Sequence, residues 1–195
     1  MSVIQYSLIC EDDVQKSFIE NLLSHTRFSS ITFQFNSKFY YQLKCRGKAE
    51  VLRKMKQAAN WSFLYNEGYY CDILFVGIDY DDRDRSSFDN ELKNLYDRID
   101  GKAKEKTIIF FPVQAIEHWL LLLNYRKENS SVTKNISSQI ESINRKEAKQ
   151  RLYAKNDKNS IVTDVLSYAD YDWLESNSQS FRALYNKLTA FLFKK

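Results

Sequence analysis

The chain has 195 residues and a mass of 23.1 kDa, the size of one domain or of one domain with an extension. Four glycines and one proline exclude collagen, low-complexity linkers and glycine-rich nucleotide loops, and no apolar run approaches the ~20 residues of a membrane-spanning helix. The net charge of +4 is unevenly spread: residues 126–158 carry nine Lys or Arg against four acids, while acids cluster at Glu11, Asp12 and Asp13 and at Asp79, Asp81, Asp82 and Asp84.

Residues 3–10 (VIQYSLIC) are β-branched and aliphatic and predict a strand with Glu11 at its C-terminal tip. From Asp12 the apolar period changes to four, through Val14, Phe18 and Leu22. This predicts an amphipathic helix whose first turn holds Asp12 and Asp13 at the positive end of the dipole. Residues 31–35 and 39–43 predict further strands or an extended hairpin, and Gly47 leads into a helix over 48–61. Residues 71–79 (CDILFVGID) are apolar without alternation, as in strands covered on both faces, and run into the second acidic cluster. A helix is predicted over 87–99, a third buried strand over 107–111, and an unusually apolar helix over 115–125 that contains Glu117, His118 and Trp119. Beyond residue 126 the pattern is mostly helical, closing on an amphipathic helix through Phe181, Leu184, Tyr185, Leu188 and Phe191. Strands alternating with helices predict an α/β fold: a mainly parallel sheet sandwiched by helices over 1–125, with a helical C-terminal extension over 126–195 packed on the same domain.

The N-terminus lacks a basic stretch and a small-residue cleavage site, so it does not read as a signal peptide. Cys10, Cys45 and Cys71 are odd in number and widely spaced, which fits reduced thiols rather than disulfides or a zinc site. A cytoplasmic protein without a membrane partner is expected.

Ligands of open α/β sheets bind at the C-terminal ends of strands, where Glu11, Asp79 and Asp81 are all predicted to lie. Crowded carboxylates repel, and a hard divalent cation such as Mg²⁺ relieves that repulsion. Alternate residues of an extended chain point the same way, so Asp79-x-Asp81 suits such a site; a solvated turn that caps the next helix would show the same pair. Other chemistries fail. Asp84 stands where an EF-hand loop needs glycine, Gly47-Lys48 lacks the rest of a phosphate-binding loop, there is no G-x-S-x-G, and two histidines are too few for a metal or triad system. His118 reads as a packing residue of its helix.

Leu8-Ile9-Cys10-Glu11, then Phe75-Val76-Gly77-Ile78-Asp79-Tyr80-Asp81, resemble the two acidic motifs of the TOPRIM domain of topoisomerases, primases and OLD-type nucleases. Glu117-His118-Trp119-Leu120-Leu121 and the later Arg151-Leu152-Tyr153-Ala154-Lys155 resemble the small standalone TOPRIM (RloB-like) families. The resemblance implies a TOPRIM-like sheet and nuclease activity dependent on Mg²⁺ or Mn²⁺, with Glu11, Asp79 and Asp81 as metal ligands. It also implies an ABC-type, OLD-like ATPase partner in anti-phage defence; a homo-oligomer is compatible with it. Glu117 would assist the metal site or only complement its helix dipole, and Lys155 would stabilise charge on the phosphate, with Lys149 and Arg151 as rivals. One departure stands out: Asp12 occupies the position after Glu11 where the family has glycine.

The basic segment, through Lys149, Arg151 and Lys155, is expected to draw in nucleic acid beside the acids. Asp79→Ala or Asp81→Ala is expected to abolish cleavage while leaving stability in metal-free buffer equal or slightly higher. Two readings compete with the nuclease: a degenerate module serving an ATPase complex, and a nucleic-acid binder without chemistry.

Overall fold

Three apolar runs and one alternating run form a single four-stranded sheet. The computed structural model describes residues 2–80, 85–129, 136–154 and 157–193. Strands β1 (Ser2–Ile9), β2 (Ile31–Phe35), β3 (Ile73–Gly77) and β4 (Thr107–Phe110) lie in the order β2-β1-β3-β4, and every pairing is parallel. Leu8 stands opposite Phe75, and Val76 opposite Ile109. The chain leaves β1 toward β2 on one side, then returns across β1 to build β3 and β4 on the other. The strand order therefore reverses between β1 and β3, which opens a crevice at their C-terminal ends.

The unalternating runs are explained by burial on both faces. Ile73 and Phe75 of β3 enter one core and Leu74 and Val76 the other. The first core is closed by helices α1 (Asp13–Leu23) and α6 (Ile116–Glu128), the second by α2 (Ser37–Leu43), α3 (Lys48–Trp61), α4 (Phe88–Asp97) and α5 (Gly101–Lys106). Later in the chain come α7 (Ser137–Ser142), α8 (Arg145–Tyr153), α9 (Lys158–Ser167), α10 (Tyr171–Asn177) and α11 (Gln179–Leu192). Leu152, Val162, Tyr171, Phe181 and Leu184 from this region enter the first core beside Phe18 and Trp119. The first two turns of α6, through Leu123, are buried almost all round, and such a segment is stable only when covered on several sides; α1 and α8–α11 supply that cover.

Two expectations need correction. Residues 39–43 are not a strand: they belong to α2, because the Asn36 side chain caps it by accepting from the Phe39 N–H (3.0 Å). Phe39, Tyr40 and Leu43 then bury a helical face. The six-residue α5 lies where no element was expected. No helix among the described residues is long and apolar enough to cross a membrane.

Gly77 ends β3 where space is scarce. A Cβ there would overlap the Phe110 ring and the Gln15 side-chain oxygen. Gly77→Ala is expected to lower stability by about 1–3 kcal/mol, because either the ring or the amide must move. A urea midpoint shows this directly; no change would mean that neither neighbour is held.

Candidate active site at the carboxyl ends of β1 and β3

Glu11 follows β1 and Asp79 follows β3, so the reversal of strand order sets them side by side. Both are buried, Glu11 to 9% exposure and Asp79 to 1%. Each is held through the other's backbone or through one shared glutamine. The Asp79 N–H donates to Glu11 Oε1 (2.8 Å). Gln15, one turn into α1, accepts from the Glu11 N–H (2.9 Å) and donates to Asp79 Oδ1 (2.8 Å). Asp79 Oδ1 also accepts from the Ile116 N–H at the start of α6 (3.2 Å). From the α2–α3 connection, the Gly47 N–H donates to the Glu11 carbonyl (3.0 Å) and Lys48 Nζ to the Asp79 carbonyl (3.0 Å).

Among the described residues, the remaining carboxylate oxygens face the guanidinium of Arg145. An Arg145 guanidinium nitrogen, from the first residue of α8, lies 2.9 Å from Asp79 Oδ2 and 3.9 Å from Glu11 Oε2. The compensation is incomplete. Burial, then the Glu11 charge, pushes the Asp79 carboxyl up to about 8 despite the opposing pull of Arg145 and Gln15, and Glu117 adds to the rise. The folded chain thus binds this proton more tightly than the unfolded chain, whose ordinary value is 3.8, so the stability that Asp79 contributes falls as pH rises from about 4 to about 8. In chelator the melting temperature is expected to decline across that window and the decline to be shallower in Asp79→Asn. Equal slopes in a calorimetric scan would refute the assignment.

The residue after Glu11 sits without strain. Asp12 has φ −154° and ψ 173°, extended backbone open to any residue. Its Oδ1 accepts from the Val14 and Gln15 N–H groups (both 3.1 Å), so it caps α1. The departure is a capping residue and leaves the turn relaxed.

Glu117, second in α6, is 1% exposed, and neither of its oxygens has a hydrogen-bond partner among the described residues. Lys149 Nζ stands 3.6 Å from Oε1. Lys158 pairs with Asp12 Oδ2 at 3.4 Å. Arg151 instead pairs with Glu147 within α8 (2.6 Å) and borders a cavity with Leu121 and Ile140, away from the acids. His118 is fully buried with its ring nitrogens against the carbonyls of Ala115 (3.2 Å) and Ile143 (3.0 Å), and burial pushes its pKa down. Asp81 and Lys155 lie outside the described residues. Arg145, Gln15 and Lys48 were not anticipated. Gln15 had one legible signal, its place one helical turn after Glu11; Arg145 and Lys48 had none beyond their charge.

Mg²⁺ is commonly held by one or two carboxylates plus waters and phosphate oxygens. Glu11 and Asp79 are donors of that kind, and the buried Glu117, whose oxygens make an ion pair with Lys149 but no hydrogen bond among the described residues, adds a third carboxylate in the same region. Among the described residues, however, no three His, Cys, Asp or Glu side chains form a group able to hold a metal ion. The fold and site define a parallel α/β protein with a paired-carboxylate crevice at its switch point. No family model, curated protein or solved structure matches this chain.

Proposed function

We propose that the chain is a nuclease of TOPRIM type that cleaves nucleic-acid phosphodiester bonds with Mg²⁺ or Mn²⁺ held by Glu11, Asp79 and Asp81. The observation that carries this reading is the buried Glu11–Asp79 pair at the strand-order reversal, locked by Gln15 and by the backbone. A purely structural fold gains nothing from crowding two carboxylates there. A bound divalent cation would neutralise the pair, polarise a phosphate and favour ionisation of water. Gln15 and the Ile116 N–H orient Asp79, and Arg145 is placed to receive a phosphate oxygen once it leaves the carboxylates. Lys149 and Lys158, on α8 and α9, offer cations beside the acids. An ATPase partner and a role in anti-phage defence belong to this proposal through the resemblance alone.

Arg145 also favours a second reading, a regulatory module whose acids are neutralised internally and never meet a metal. Calorimetric titration of Mn²⁺ into wild type and Arg145→Gln separates the two. The nuclease reading expects wild type to bind and Arg145→Gln to bind about tenfold more tightly, because a competing charge has left. Silence in both proteins would favour the module.

A further inference from the structure

We propose a second ligand site, a pocket for an adenine-type nucleobase at the β1–β2 edge of the sheet, which nothing in the nuclease reading requires. The pocket has a volume of about 390 Å³, and Gln5, Gln34, Asn36, Lys38, Tyr65 and Tyr70 are among its lining residues. That volume lies within the range typical of small-molecule sites.

The chemistry of the lining is specific. Gln5 and Gln34 are register partners on parallel strands, so their side chains stand abreast on one face of the sheet. Neither side-chain amide has a hydrogen-bond partner among the described residues. Two adjacent free amides offer paired donors and acceptors, the pattern that reads the edge of an adenine. Tyr65 and Tyr70 stack beside them with ring centroids 3.7 Å apart and planes within 16°. Tyr65 is 67% exposed, so the stack can accept one more flat ring.

The frame of the pocket is fixed. Asn36 donates to the carbonyls of Gly68 and Tyr70 (both 3.0 Å), Tyr70 donates its hydroxyl to Asp72 (2.6 Å), and Asp72 accepts from the Gln5 N–H (2.8 Å). These bonds fix Asn36, Tyr70 and the Gln5 backbone, the groups that surround the amides and the open ring face. Lys38, exposed at the rim and donating to the Glu67 carbonyl, supplies a cation suited to a phosphate attached to the base. Gln5 lies on β1 six residues before Glu11, which follows that strand, about 20 Å away along an extended chain, so this site and the carboxylate crevice are separate.

The base could come from a free nucleotide or from a nucleic-acid strand. Adenosine, AMP, ribose 5-phosphate and an oligodeoxyadenylate are titrated calorimetrically in chelator into wild type, Tyr65→Ala, Gln34→Ala and Asp79→Asn. Both pocket substitutions are at exposed side chains and leave the core intact. The expected result is binding of adenosine and AMP that weakens about tenfold in Tyr65→Ala and several-fold in Gln34→Ala, with Asp79→Asn unchanged. Binding of the oligonucleotide through Tyr65 with adenosine silent would also support the site and assign the base to a strand. No binding of any base-containing ligand, binding indifferent to Tyr65→Ala, or equal binding of ribose 5-phosphate would overturn the proposal.

Discussion

Asp79→Asn is expected to reduce metal-dependent cleavage of a labelled oligonucleotide below about one per cent of the wild-type rate while the protein stays folded. Even residues that only support metal ligands change affinity or activity by about 10–100-fold when replaced, and a ligand should exceed that. Asparagine is the informative substitution because of how Asp79 is held. Its Oδ1 accepts from Gln15 and from the Ile116 N–H, and an asparagine oxygen can do the same. Alanine would strand both buried donors at about 1–3 kcal/mol each. The expectation that Asp79→Ala leaves stability equal or higher is therefore corrected: lost acceptors oppose the relief of charge crowding. Full activity in Asp79→Asn would remove the metal assignment.

The largest loss of stability is expected at Trp119. Its ring is fully buried, edge-on to Phe181 (centroids 5.3 Å, 85°) and tilted against Phe18 (5.2 Å), and its indole N–H donates to Ser180 Oγ (2.9 Å). Trp119→Ala should cost about 3–5 kcal/mol through the cavity and the lost packing, enough to unfold a marginal domain. Trp119→Phe keeps most of the aromatic contact and should lose less. Urea denaturation measures both; a loss below about 1 kcal/mol for alanine would mean that α1, α6 and α11 do not share one core.

Much of this architecture was legible because burial on two faces leaves a continuous apolar run, as in 71–79, and a one-sided helix leaves a period near four, as at Val14, Phe18 and Leu22. The error at 39–43 arose where aromatic composition outweighed a cap: Phe39 and Tyr40 suit a strand, yet one side-chain hydrogen bond from Asn36 starts a helix. β2 keeps its alternation because one of its faces is left uncovered, with Thr32 and Gln34 exposed between the partly buried Ile31, Phe33 and Phe35.

Local periodicity is enough to show the alternation of strands and helices and to put Glu11 and Asp79 just beyond strand ends. That the two acids are neighbours is legible in the tertiary structure alone, which sets β3 directly beside β1. It alone brought Arg145 to them across more than sixty residues of chain, and it alone separated Arg151, which pairs with Glu147, from Lys149, which approaches Glu117. Within one basic helix, charge is a property of composition; which cation meets which acid is set by the helix's rotation against the sheet, and that rotation is fixed by buried Ala148 and Leu152 rather than by the charges themselves.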